Sequence, residues 1–231
     1  MKVDVRYKPA YALALVTLDA EEKIQVEGGA MVGMSADMEM ETGVSGGLLK
    51  SLSRKMFGGE SFFLNTFTGV TDGDSVALAP PLPSDISVIE MNGETLMVQS
   101  GAYLASSAGV EVDTKWSGAK TFFGSEGFIM LKVSGTGTLI VSSYGAIHPM
   151  TLAADQKYLV DTGHLVTFEE HLKFDVKKVA GWKSTLFSGE GLVIELTGPG
   201  DLTLQSRSQD SFLSWLIPKI PKQTTYVSSS N

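Results

Sequence analysis

The sequence predicts an all-β body assembled from three internal repeats. Three observations carry that prediction. The stretch Phe123-Gly124-Ser125-Glu126-Gly127-Phe128 has near-copies at Phe57-Gly58-Gly59-Glu60-Ser61-Phe62 and Phe187-Ser188-Gly189-Glu190-Gly191-Leu192, the first Phe residues standing 66 and 64 residues apart (57 to 123, 123 to 187). A second element is also written three times, as Ile24-Gln25-Val26-Glu27-Gly28-Gly29-Ala30, Leu96-Met97-Val98-Gln99-Ser100-Gly101-Ala102 and Tyr158-Leu159-Val160-Asp161-Thr162-Gly163-His164. Self-similarity at a fixed period is the mark of a repeat architecture. Finally, Met38/Met40, Val110/Val112 and Leu172/Phe174 lie nine and eleven residues after the glycines of that second element, each pair enclosing a polar residue (Glu39, Glu111, Lys173). This is the period-2 alternation of a half-buried strand.

In chain order, Val3 to Leu18 reads as one or two strands and Asp19-Ala20-Glu21-Glu22 as a solvated turn. Gly29, Gly101 and Gly163 are expected to mark one bend three times, at positive φ or where two backbones come close. The strands after the Glu motif, Phe62-Phe63-Leu64, Phe128-Ile129-Met130-Leu131 and Leu192-Val193-Ile194, are apolar in both phases and therefore expected to be buried on both faces, or to set one face in the core and one against a partner. Each ends at a Gly-rich segment: Thr68-Gly69, Gly135-Thr136-Gly137 and Gly198-Pro199-Gly200, read as turns. Two segments read as helix. Gly46 to Phe57 places Leu48, Leu49, Leu52 and Met56 on one face; Asp210 to Ile217 opens on a capping residue and is stopped by Pro218 and Pro221. The expected organisation is one domain, 1–231, with repeats at about 1–80, 81–147 and 148–209 and a C-terminal helix and tail at 210–231.

Composition bounds the function. The 231 residues are 43% hydrophobic and 19% charged, enough apolar content for a large core. A net charge of −8 argues against a sequence-independent grip on nucleic acid, which depends on Lys and Arg neutralising phosphate. With no cysteine there is no disulfide, thiolate metal site or Cys nucleophile. The N-terminus has no signal-peptide pattern and no apolar run approaches a membrane span. A cytoplasmic homo-oligomer without cofactor is the expectation, with peripheral membrane contact ranked behind it.

The motif set Gly58-Gly59-Glu60-Ser61-Phe62-Phe63, Val98-Gln99-Ser100-Gly101, Asp113-Thr114-Lys115-Trp116, Ser142-Ser143-Tyr144-Gly145, Val160-Asp161-Thr162-Gly163-His164 and Ser188-Gly189-Glu190-Gly191 resembles the family named for altered inheritance of mitochondria, from about Val5 to Arg207. The resemblance implies three β repeats about a pseudo-threefold axis, a fold similar to the tryptophan-activated RNA-binding attenuation protein and of the double-stranded β-helix type. It also implies no assigned biochemical activity for prokaryotic members, the mitochondrial ones being linked to inner-membrane organisation. Fold similarity to an RNA binder does not imply RNA binding.

No catalytic motif stands out. Glu60, Glu126 and Glu190 recur in all three copies and are expected to accept backbone N–H bonds beside glycines; the alternative, three carboxylates gathered at the axis to hold a cation, requires them to converge. His164 replaces Ala30 and Ala102. Asp161, Glu169, Glu170 and His171 lie near it in sequence, but ligand spacing is lacking, and a hydrogen-bonded or solvent-facing histidine is the expectation. No G-x-S-x-G elbow accompanies the serines, and Gly135-x-Gly137 lacks the rest of a dinucleotide fingerprint. Trp116 and Trp182 read as core or rim packing, with ligand stacking as the sharper alternative. The C-terminal segment concentrates Phe212, Trp215, Leu216 and Ile217, apolar surface expected to be covered either by its own β body or, as a candidate interface, by another copy of the chain, with a membrane surface third. The leading function is a non-enzymatic oligomeric scaffold or binding protein; the alternative is a small-molecule sensor or enzyme with a cleft near His164 and Trp116.

Overall fold

The computed structural model describes residues 1–42, 56–57, 60–61, 63–113, 128–178 and 192–221, with main chain alone at 56–57, 60–61 and 178. The protein is mostly β, built from antiparallel sheets, with a short helix near the C-terminus. In chain order the strands are β1 (Lys2–Arg6), β2 (Leu13–Leu18), β3 (Lys23–Glu27), β4 (Met31–Met34), β5 (Glu39–Thr42), β6 (Met56–Phe57), β7 (Glu60–Ser61), β8 (Leu64–Thr68) and β9 (Asp74–Leu78). They continue with β10 (Ile86–Gln99), β11 (Tyr103–Ser107), β12 (Val110–Asp113), β13 (Met130–Ser142), β14 (Ile147–Leu152), β15 (Lys157–Asp161), β16 (Leu165–Glu169), β17 (Lys173–Lys178), β18 (Leu192–Thr197) and β19 (Gly200–Gln205). Helix α1 spans Gln209–Leu216 and runs into a 3-10 turn, Ile217–Lys219. The expected helix at Gly46–Phe57 lies outside the described residues over 46–55. Its last two residues, Met56 and Phe57, are extended and pair with Ser61 and Glu60.

One sheet runs β14-β19-β16-β10-β13-β11-β3-β8-β5, with β12 also on β13; a second runs β1-β2-β9-β4 and a third β15-β18-β17. The period-2 pattern accounts for the strand faces. In β2, Ala14, Val16 and Leu18 are buried and alternate with half-buried Leu13, Leu15 and Thr17. Among the described residues three clusters form the core. The first centres on Val16, Ile24, Phe67 and Leu78, the second on Phe168, Ile194, Leu196 and Leu202, and the third on Tyr103, Leu131, Val133 and Val141. Of the three strands apolar in both phases, one is buried throughout, at Phe128, Ile129, Met130 and Leu131; in the others Phe63 is exposed and Leu64, Leu192 and Val193 are half-buried, with Ile194 buried and Phe62 outside the described residues. Tyr103 is wholly buried with its hydroxyl 2.7 Å from Ser106 Oγ, and burial pushes its pKa well above the ordinary tyrosine value. On the outer face of the third sheet, Glu195 receives Lys177 at 2.8 Å and Lys157 at 3.0 Å, and these two hydrogen-bonded ammonium groups hold its carboxyl below the usual range.

Two expectations about glycines change. Gly135 and Gly137 do not close a hairpin: β13 runs straight through them, with φ of +117° and +139°. On one side of the glycines β13 pairs with β12 (Val110 opposite Gly135), and on the other with β11 (Ser106 opposite Leu139). They form a corner inside a strand, and positive φ serves a corner as readily as it serves a turn. Gly198 also marks a change of sheet, since β18 pairs with β15 and β17 whereas β19 pairs with β14 and β16. The bend glycines also divide. Gly29 has φ +94°, but Gly101 and Gly163 sit in 3-10 turns (Ser100–Ala102, Thr162–His164) outside the left-handed region. At Gly163 the close approach is to a side chain, not to a second backbone: an added Cβ would stand 2.6 Å from Ser208 Oγ.

The helix begins where a serine allows it. Ser208, not Asp210, is the N-cap, its Oγ accepting from the Ser211 N–H at 3.4 Å; Asp210 lies in the first turn, where a carboxylate favours the positive end of the helix dipole.

Candidate functional site

A cleft of about 740 Å³ opens where the bends at Gly101 and Gly163 meet the start of α1. Pro80 to Leu82, Ser142 to Tyr144, Asp161, Gln205 and the first turns of the helix line it. Gln205, at the end of β19, ties these pieces together. Its Oε1 accepts from the Tyr144 N–H at 2.7 Å and its Nε2 donates to the Gly163 carbonyl at 2.8 Å. Its own carbonyl receives His164 Nδ1 at 2.8 Å. A carbonyl can only accept, so Nδ1 carries the proton and the half-buried imidazole is anchored to main chain. Asp161 is likewise engaged, accepting the Gly163 N–H at 2.7 Å and capping its 3-10 turn. Ser100 Oγ, beside the Gly101 bend, is buried without a hydrogen-bond partner among the described residues.

The acidic and histidine residues considered around His164 each have other partners. Glu169 accepts the Asp201 N–H at 2.7 Å, Glu170 pairs with Lys132 at 2.6 Å, and His171 Nε2 lies 3.0 Å from the Pro199 carbonyl. No group of three His, Asp or Glu able to hold a metal ion occurs among the described residues. Trp116, Trp182, Glu126 and Glu190 lie outside those residues, and of Glu60 the structure gives the main chain, in β7 opposite Phe57. Gln205 is the organising residue that sequence reasoning missed; it belongs to no repeated motif, and its role comes from contacts across some 40 to 60 positions of sequence.

The candidate interface residues divide by exposure. Phe212 is half-buried, edge-on to Tyr144 at 6.1 Å and stacked on Trp215 at 6.2 Å; Leu216 is also half-buried. Leu213, Trp215, Ile217 and Ile220 are 37%, 57%, 60% and 55% exposed. Lys219 Nζ lies over the Trp215 ring, 5.1 Å from its centre.

A family model described as mitochondrial biogenesis AIM24 matches residues 3–207. The chain belongs to the AIM24 family. It is 28% identical over 218 residues to an uncharacterised protein of Streptococcus pyogenes serotype M6, a match covering 90% of this chain and 87% of that protein. A crystal structure of a Streptococcus pyogenes protein superposes with a TM-score of 0.76 at 24% identity, covering 95% of this chain and 99% of that one, a likeness of fold. The family and these relatives carry no assigned biochemical activity. No helix among the described residues is long and apolar enough to cross a membrane.

Proposed function

We propose that this AIM24-family protein is a non-enzymatic binding and assembly component, built as three successive β repeats and working through apolar surfaces that meet another copy of the chain. The repeat reading is supported by the ladders. Naming the strands of each repeat a to f in chain order, a pairs with f, b with e, c with f and d with e. The first repeat has β2-β9, β3-β8, β4-β9 and β5-β8, and the third has β14-β19, β15-β18, β16-β19 and β17-β18. In the second, a and b are fused in β10 and e and f in β13, with β11 and β12 paired against them.

The observation that carries the assembly reading is the C-terminal helix. It lies outside the repeats and contributes no buried residue, and with the 3-10 turn and Ile220 that follow it leaves Leu213, Trp215, Ile217 and Ile220 exposed. Exposed apolar area costs about 25 cal/mol per Å², and large apolar side chains concentrated on one exposed segment favour an interaction site. A membrane surface is the weaker partner, because such helices recruit basic residues and here Lys219 lies over Trp215 in a chain of net charge −8. Truncation before Gln209 is expected to leave the β body folded by circular dichroism and to lower its mass by light scattering. An unchanged assembly state with unchanged solubility would sink the proposal.

A second reading rests on the cleft, whose volume falls in the range of small-molecule sites. A small molecule co-purifying with the protein and lost on Gln205→Ala would favour it.

A further inference from the structure

We infer that β4 and β15 are the two halves of one inter-subunit joint, β4 of one copy pairing antiparallel with β15 of the next. This rests on the three-repeat reading above and adds to it the partner strand and its register. Consecutive repeats are joined twice within the chain, each time by strand c of one repeat pairing with strand b of the one before. At the first joint Ala105, Ser106 and Ser107 of β11 face Val26, Gln25 and Ile24 of β3. At the second, Thr167, Phe168 and Glu169 of β16 face Val98, Met97 and Leu96 of β10. Counted from the bend glycines Gly29, Gly101 and Gly163, the register is the same: residues four, five and six after one glycine face residues three, four and five before the preceding one.

Strand c of the first repeat is β4 and strand b of the third is β15. Among the described residues each ends its sheet, β4 pairing with β9 and β15 with β18. Their apolar side chains lie open where the equivalents in the two made joints are covered. Two residues after the glycine, Tyr103 and Leu165 are buried but Met31 is 40% exposed. Three after, Leu104 and Val166 are wholly buried but Val32 is 63% exposed. Five after, Ser106 and Phe168 are wholly buried but Met34 is 38% exposed. On the other half, Leu159 is 59% exposed where Met97 is buried, and Tyr158 is 37% exposed where Ile24 is buried. The alternation and backbone of these strands match those of the copies, and what they lack is the neighbouring strand.

An open edge bearing apolar residues invites pairing, and proteins that keep an edge single blunt it with charge or proline. Met31-Val32-Gly33-Met34 carries neither. Applying the register of the two made joints places Gly33 opposite Val160, Met34 opposite Leu159 and Ser35 opposite Tyr158. The contact is strand addition between copies, the main-chain ladder giving affinity and the exposed side chains giving the match. Because the two halves differ, the joint is used in a closed ring or twice across a twofold pair.

The chain has no cysteine, so engineered thiols report without background. Facing residues of an antiparallel pair have Cα atoms about 4.5–5.5 Å apart, within the span of a disulfide. Met34→Cys and Leu159→Cys proteins, both altered at exposed positions, are mixed and oxidised. A cross-linked dimer in the mixture, absent from either variant alone, is the expected result. A mixture that yields no dimer overturns the joint, and so does a Met34→Cys/Leu159→Cys chain that closes its disulfide only within itself, which would mean that the repeats form a ring in one chain. Repeating the mixture in the chain truncated before Gln209 separates the two interfaces. A dimer there supports the joint independently of the helix, whereas loss of mass on truncation without any cross-link leaves the helix proposal standing and removes this one.

Discussion

Gly135→Ala is expected to destabilise the protein by about 3 kcal/mol or more, since a strained φ and a backbone collision each cost about 1–3 kcal/mol. The glycine has φ +117°, and an added Cβ would run into the carbonyl oxygen of Gly109. Neither side can yield easily: that carbonyl accepts the Thr136 N–H at 3.0 Å, and Gly135 faces Val110 in the β12–β13 ladder. The comparison is Gly101→Ala. There φ lies outside the left-handed region and the nearest atom to an added Cβ is the flexible Gln99 side-chain oxygen at 3.2 Å, so a change within about 1 kcal/mol is expected. Chemical denaturation of the two variants checks this. Equal costs would contradict the corner inside β13 and restore a simple turn at Gly135–Gly137.

Phe168→Ala is the second large effect. The ring is wholly buried, packs edge-on against Phe174 at 5.6 Å and belongs to the cluster with Ile194, Leu196 and Leu202. Truncating a buried Phe costs about 3–5 kcal/mol through lost transfer energy and the cavity left behind. Met34 holds the corresponding place in the first repeat, five residues after its bend glycine, and is exposed. In dilute protein Met34→Ala should therefore cost no more than about 0.5 kcal/mol. Thermal unfolding of both variants decides, and a Met34→Ala penalty equal to that of Phe168→Ala would mean that β4 is already covered in the single chain.

The strands were legible because their signal is local. Alternation around Glu39, Glu111 and Lys173 reports one face turned to the core only in part: the first apolar partner, Met38, Val110 or Leu172, is buried in each copy, but of the second partners Met40 is 44% exposed and Val112 and Phe174 are half-buried. The family was legible through several weak motifs in one order, and its model match spans the same stretch. Glycine was misread because it permits several backbones: Gly135 and Gly137 have the positive φ of a turn but bend a strand between two partners. Asp210 looked like a cap, but the geometry favours Ser208, two residues earlier. Gln205 and the cleft it ties together depend on contacts between distant segments and leave no pattern in sequence. The same is true of β4 and β15. Val32, Leu104 and Val166 are interchangeable as residues and differ in whether another strand lies beside them.

Assembly is the central claim, and sedimentation of the intact chain over a range of concentrations tests it most directly. The expected result is a species of at least twice the 24.6 kDa of one chain. A single species at 24.6 kDa, at every concentration up to the solubility limit, would contradict it.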